Sequence, residues 1–154
     1  RDLVRSRGLG DVYKRQNNHY VFEITETIEM DQIPAVQNVF KEFVKNDFRF
    51  AIDDFGTGYS NYGYMRDRTF DIVKVDRSFV TDIDKLKDNY LMVSFIIKMA
   101  HEMGLHVCIE GVETKEELSC VKRLGADYIQ GYYYGKPVCL QDFEEQHLKR
   151  FVLG

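Results

Sequence analysis

Asp53 and Asp54 stand side by side where the apolar pair Ala51-Ile52 ends, and Phe55-Gly56-Thr57-Gly58 follows them. Adjacent carboxylates before a glycine-rich turn are a candidate metal site, because one short piece of backbone presents two hard oxygen donors. Side chains alternate along a strand, so two successive acids point opposite ways unless the backbone leaves the sheet there. Gly56 and Gly58 permit that departure. A plain acidic turn explains the same residues equally well, since Asp and Gly are ordinary turn formers.

The pattern recurs. Tyr20-Val21-Phe22-Glu23, Ile72-Val73-Lys74-Val75-Asp76, Val107-Cys108-Ile109-Glu110 and Tyr128-Ile129-Gln130 are each a short apolar run that stops at a polar group able to do chemistry. Between these runs Ile33, Val36, Val39, Phe40, Phe43 and Val44 fall at helical steps, as do Tyr90, Val93, Ile97, Ala100 and Met103. Strand followed by helix, repeated, predicts parallel strands. Thr114 and Glu117 have the spacing of a capping box, and Gly104 and Gly125 stand where helices would stop before the next strand.

In a parallel β/α array the carboxyl ends of the strands share one face, which is where ligands bind. Glu23, Asp53, Asp54, Lys74, Asp76, Glu110 and Gln130 are therefore expected to converge. Carboxylates so gathered repel one another unless cations neutralise them. Oxygen donors with no organised Cys or His point to Mg²⁺ or Mn²⁺ rather than zinc.

The segments Glu23-Ile24-Thr25-Glu26, Asp53 to Ser60, Val73 to Phe79, Glu110-Gly111-Val112-Glu113-Thr114 and Gln130-Gly131-Tyr132 together resemble successive motifs of the EAL-domain family, bacterial cyclic-di-GMP phosphodiesterases. The likeness runs from about Tyr20 to Pro137 and follows the family's order and approximate spacing. It implies that Glu23 and Asp53 are metal ligands, that Asp54 holds the second of two metals, and that Asp76 sits beside the attacking water. Lys74 then lies near the scissile phosphate. Glu110 matches an acid that is either general base or metal-associated, and both roles stay open. Glu26 matches the glutamate bracing the loop after the Asp pair, with Gly56, Thr57 and Gly58 in that loop, and Gln130 matches a polar group of the site. The implied reaction is two-metal hydrolysis of one 3′-5′ phosphodiester bond of cyclic-di-GMP to the linear dinucleotide. The alternative is a non-catalytic cyclic-di-GMP sensor or protein-interaction module of the same family. A homodimer through the loop after Asp54 is also implied.

Duller readings compete. Glu26 and Glu113 can be solvated or capping acids. Lys74 is harder to dismiss, because a lysine in an apolar strand needs a partner, and Asp76 lies on the same strand face. Tyr132, Tyr133 and Tyr134 can stack on guanine, yet aromatic residues favour strands in any case. Departures from the family pattern are Asn61-Tyr62-Gly63-Tyr64 in place of a Ser-Leu-rich segment, Ile109 where Ala is common, and Gly135 where Ser is common. Gly63 in a short helix would loosen it by up to about 1 kcal/mol relative to alanine.

The fold expected is α/β, a partial TIM-type (β/α) barrel with roughly its last five strands and their helices, open where the amino-terminal strands are missing. A whole barrel takes roughly 250 residues, against 154 here. The Glu of the Glu-Ala-Leu signature and a metal-binding Asn have no counterpart, so the chain alone is expected to be inactive. Residues 17–154 read as the carboxyl-terminal portion of a single EAL-type domain. Residues 1–16 lack apolar periodicity, and Asp11 to Gln16 is what GAT GTG TAT AAG AGA CAG encodes, which resembles a transposon-end adapter; they are expected to be a sequencing or cloning artefact. A basic tail is the competing reading, with Arg1, Arg5, Arg7, Lys14 and Arg15 cationic.

A formal net charge of −4 with 30% charged residues argues against a generic polyanion binder, so no DNA or RNA partner is expected. No run approaches a membrane span and no secretory signal is visible, which predicts a cytoplasmic domain, with upstream signalling domains or a membrane tether left to regions outside this chain. Cys108, Cys120 and Cys139 are odd in number and read as reduced thiols. His19, His101, His106 and His147 form no ligand cluster by spacing. Open sheet edges at Val21 to Thr25 and Tyr128 to Tyr132 predict poor solubility or partial unfolding of the isolated chain.

Overall fold

The computed structural model describes residues 17–25, 34–57 and 69–145. Five strands, β1 (Val21–Thr25), β2 (Arg49–Phe55), β3 (Ile72–Val75), β4 (His106–Ile109) and β5 (Tyr128–Ile129), form one sheet in sequential order, and every neighbouring pair is parallel. The strand–helix alternation thus gives the parallel α/β array expected, with β1 and β5 as its edges.

Among the described residues the helices are α1 (Pro34–Lys45), α2 (Lys87–Glu102), α3 (Lys115–Leu124) and the short α4 (Leu140–Phe143), with a 3-10 turn at Arg77–Phe79. Proline opens α1, a position that needs no backbone donor. Thr114 Oγ1 accepts from Glu117 N, and Thr114 N donates to the Glu117 carboxylate, so the expected capping box starts α3. Gly125, at φ 89°, ends it in the left-handed conformation.

One face of the sheet carries the helices. Val73, Val75, Val107 and Ile109 are fully buried there against Val93, Ile97 and Ala100 of α2 and Val121 of α3. Each such side chain contributes roughly 1.5–3 kcal/mol on burial. An aromatic cluster binds α1 to the sheet: Phe40 stacks on Phe50 at 4.5 Å between centroids, and Phe43 meets Phe22 edge-on at 5.1 Å. The opposite face holds a smaller apolar patch of Ala51, Ile72 and Cys108. Strands buried on both faces are the reason β3 reads as an almost unbroken apolar run.

Two aspartates set the strand starts. Asp71 N donates to Phe50 O at 2.9 Å while Phe50 N donates to Asp71 Oδ2 at 3.0 Å. Asp127 brackets Val107 in the same manner, with Asp127 N to Val107 O at 3.1 Å and Val107 N to Asp127 Oδ2 at 2.7 Å. Each closes an otherwise unpaired amide at the amino end of the preceding strand. Each also fixes the register of its own strand, so that Lys74 and Gln130, three residues on, reach the opposite end.

Candidate metal and phosphodiester site

The Asp pair does not leave the sheet as its glycines suggested. β2 runs through both acids to Phe55, and its pairing with β3 slips by one residue between Ile52 and Phe55. Asp54 takes φ 54°, the left-handed region that Asp visits more readily than most residues. This bulge re-aims one carboxylate. Oxygens of Asp53, Asp54 and Glu110 consequently lie within 4.8 Å of one another at the carboxyl end of the sheet. Gly56, at φ 99°, follows the bulge, where an added Cβ would come within 2.8 Å of the Phe79 ring. Thr57 closes the turn, its Oγ1 donating to Asp54 O at 2.9 Å.

Lys74 is the cation at the centre. Only 6% exposed, it donates to Asp53 Oδ1 at 2.8 Å and forms ion pairs with Glu23 Oε2 at 2.8 Å and Glu110 Oε1 at 2.6 Å. Burial by itself would lower its pKa, but its hydrogen bond to Asp53 and its ion pairs with Glu110 and Glu23 outweigh that and hold the ammonium above the ordinary lysine range. Lys74 is therefore charged at any physiological pH. The partner expected for it, Asp76, is used elsewhere: Asp76 Oδ1 accepts from Ser78 N at 2.9 Å and caps the 3-10 turn. Burial would raise the Asp76 pKa, yet its bonds with Ser78 and the Arg77 backbone bring it below the usual value. Asp76 is not part of the three-acid group.

Glu23, Lys74 and Gln130 line one open groove of about 220 Å³, floored by Ala51, Ile72 and Cys108. Burial, then the charge of Glu110, pushes the Cys108 thiol up to about 11, so it is inert there. Tyr132, Tyr133 and Tyr134 lie not in a strand but in an exposed turn after β5. Tyr132 and Tyr134 line a second cavity, of about 700 Å³, and Lys136 Nζ stands 5.3 Å from the Tyr132 ring centroid. Glu113 is exposed, as its duller reading had it. Glu26, Gly58 and the remainder of the loop proposed for dimer contacts fall outside the described residues.

Two positioning residues escaped the sequence reading. Asp71 and Asp127 each stand three residues before a polar strand end, and that shared spacing was the available signal. Asp127 also gathers two histidines that spacing left apart, His101 Nε2 at 2.8 Å and His106 Nδ1 at 3.5 Å.

The donor set fits divalent cations. Among the described residues, Glu23, Asp53 and Glu110 surround the Lys74 ammonium and Asp54 joins Asp53 and Glu110, so carboxylates outnumber the cation at this rim. Glu110 Oε1 is buried and, although close to Lys74 Nζ, receives no hydrogen bond of proper direction. The short distance makes the ion pair real; the poor direction leaves an acceptor that a metal ion would satisfy.

The EAL domain model matches residues 9–137. This chain belongs to the EAL-domain family. The match begins ahead of Tyr20, where the motifs alone placed its start. The EAL chain is 35% identical over 131 residues to the cyclic di-GMP phosphodiesterase PdeB of Shewanella oneidensis, an alignment covering 85% of this chain and 15% of PdeB. It superposes on the EAL enzyme Bd1971 in its cAMP- and cyclic-di-GMP-bound form with TM-score 0.76 and 36% identity, covering 84% of this chain and 34% of that one. The manganese/cy-diGMP complex of Klebsiella pneumoniae BlrP1 gives TM-score 0.70 and 30% identity, covering 79% of this chain and 31% of that one. The EAL chain thus spans about a third or less of these relatives. Among its described residues no helix is long and apolar enough to cross a membrane.

Proposed function

We propose that this chain is the carboxyl-terminal part of an EAL domain whose complete form hydrolyses one 3′-5′ phosphodiester bond of cyclic-di-GMP, giving the linear dinucleotide. The observation that carries the reading is the group of Asp53, Asp54 and Glu110 oxygens within 4.8 Å, adjoining a buried lysine. Phosphodiester hydrolysis needs negative charge to hold cations and positive charge to meet the phosphate, and both stand at one end of this sheet.

Asp53, Asp54 and Glu110, with Glu23 at the edge strand, would hold two Mg²⁺ or Mn²⁺ ions together with ligands from the missing strands. When bound, such ions polarise the phosphate and lower the pKa of a water. Lys74 offers ammonium protons to a phosphate oxygen. Gln130, at the end of β5, offers an amide to the substrate. The dinucleotide complexes of Bd1971 and BlrP1, and the manganese in the latter, support this assignment.

The experiment joins residues 17–154 to the strands that complete the barrel and incubates that domain with cyclic-di-GMP and Mn²⁺. Chromatography then follows the linear product. Hydrolysis that disappears with Asp53→Asn supports the reading. Tight binding with no product moves the protein to the sensor class.

A further inference from the structure

We propose that Lys74 is a resident counter-ion, which keeps the acid cluster assembled in the metal-free protein and must withdraw from it when a divalent ion enters. The inference rests on the metal reading above and goes beyond it, since it assigns the lysine a role before any substrate arrives.

The geometry carries it. The Lys74 ammonium touches Asp53 Oδ1, Glu23 Oε2 and Glu110 Oε1 at 2.6 to 2.8 Å. Asp53 and Glu110 are also two of the three acids whose oxygens could hold a metal. Both cations therefore draw on the same two carboxylates. An ion seated on oxygens at roughly 2.0–2.6 Å would lie within a few Å of the ammonium, and the two positive charges would repel. One must give way.

Glu110 is where Lys74 yields. That contact is the shortest of the three, yet it lacks hydrogen-bond direction, so little directional bonding is lost when it opens. Asp53 keeps a well-formed bond from Lys74. Swinging about Asp53, the ammonium would move off Glu110 and remain beside the site. A monovalent ion carries no more charge than the ammonium it would replace, so the exchange selects for divalent ions. Lysine competition thereby sets the metal affinity.

The test is a calorimetric Mn²⁺ titration of residues 17–154 joined to the strands that complete the barrel, and of the same domain carrying Lys74→Met, with circular dichroism confirming that both are folded. Removing the competitor should tighten Mn²⁺ binding at least about tenfold. Equal or weaker binding by a folded Lys74→Met would overturn the lysine's role alone, whereas no Mn²⁺ binding by either protein would overturn the metal reading and this inference together. Wild-type protein gives an independent arm should the variant not fold. The Lys74 ammonium signal in ¹H–¹⁵N spectra should shift or vanish on saturation with Mg²⁺ and hold steady in K⁺ of equal ionic strength. A signal indifferent to Mg²⁺, or one equally moved by K⁺, contradicts the exchange.

Discussion

Asp53 and Asp54, neighbours in sequence, bring their carboxylates to the same rim of the sheet because Asp54 adopts φ 54° at a one-residue bulge in β2. Without the bulge, strand alternation would send one of them to the helix-covered face. An L-residue in that conformation stores strain, and the two charges add repulsion.

Asp54→Gly should therefore divide stability from function. Relief of strain and repulsion outweighs the entropy of the added glycine, raising stability by about 0.5 kcal/mol. Mn²⁺ affinity should fall at least about tenfold, since one charged ligand is gone. Thermal melting and calorimetry on the same sample read both effects, and a variant that is destabilised with unchanged affinity would contradict the account.

Asp127 predicts a pH dependence. Burial alone would raise its pKa, but bonds from His101, the Val107 amide and His106 hold it below the ordinary 3.8. A carboxylate whose folded pKa is depressed contributes its full stabilisation above the unfolded value and loses it as pH falls through the folded one. Asp127→Ala should cost about 1–2 kcal/mol near pH 7, part of it from the stranded Val107 amide. Urea melts of the two proteins should draw closer below pH 3.8 as the wild-type carboxylate protonates, leaving the share due to the stranded Val107 amide.

Asp71 should behave as a positioning residue for Lys74. Asp71→Ala leaves the Phe50 amide without its acceptor and should lower the urea midpoint by the equivalent of about 1–2 kcal/mol. Asp71→Asn, which keeps an acceptor oxygen, should recover most of that loss. Equal midpoints for the Ala variant and wild type would remove the role given to the bracket.

Gly131→Ala tests the close approach behind Gln130. A Cβ there would sit 2.1 Å from Val112 O and 2.4 Å from Val112 N, and backbone cannot step aside as a side chain can. Because Val112 N donates to Gln130 O and Tyr133 N to Val112 O, the strain would fall on the loop that carries Gln130. A loss of about 1–3 kcal/mol in thermal unfolding is expected.

The strands and helices were legible because parallel strands buried on both faces are apolar runs, and because Thr114-Glu117 and Gly125 mark a helix start and stop by local chemistry alone. The convergence of Glu23, Asp53 and Glu110 followed from topology, which needs no coordinates once strand order is granted. Three things were not legible. The bulge at Asp54 arises from pairing with β3, a non-local event. Lys74's partners come from three other strand ends, so the nearer Asp76 looked the better partner on sequence, although a cap two residues on takes its carboxylate. The turn holding Tyr132 to Tyr134 follows from Gly131 lying against Val112, against the strand preference of tyrosine.

Electron paramagnetic resonance of Mn²⁺ tests the central claim most directly, since only unbound Mn²⁺ gives the sharp six-line signal. Adding the completed domain should diminish that signal, and Asp53→Asn or Glu110→Gln should each restore it across at least about a tenfold range of protein concentration. Mn²⁺ bound equally well by all three proteins would mean that these carboxylates do not form the metal site.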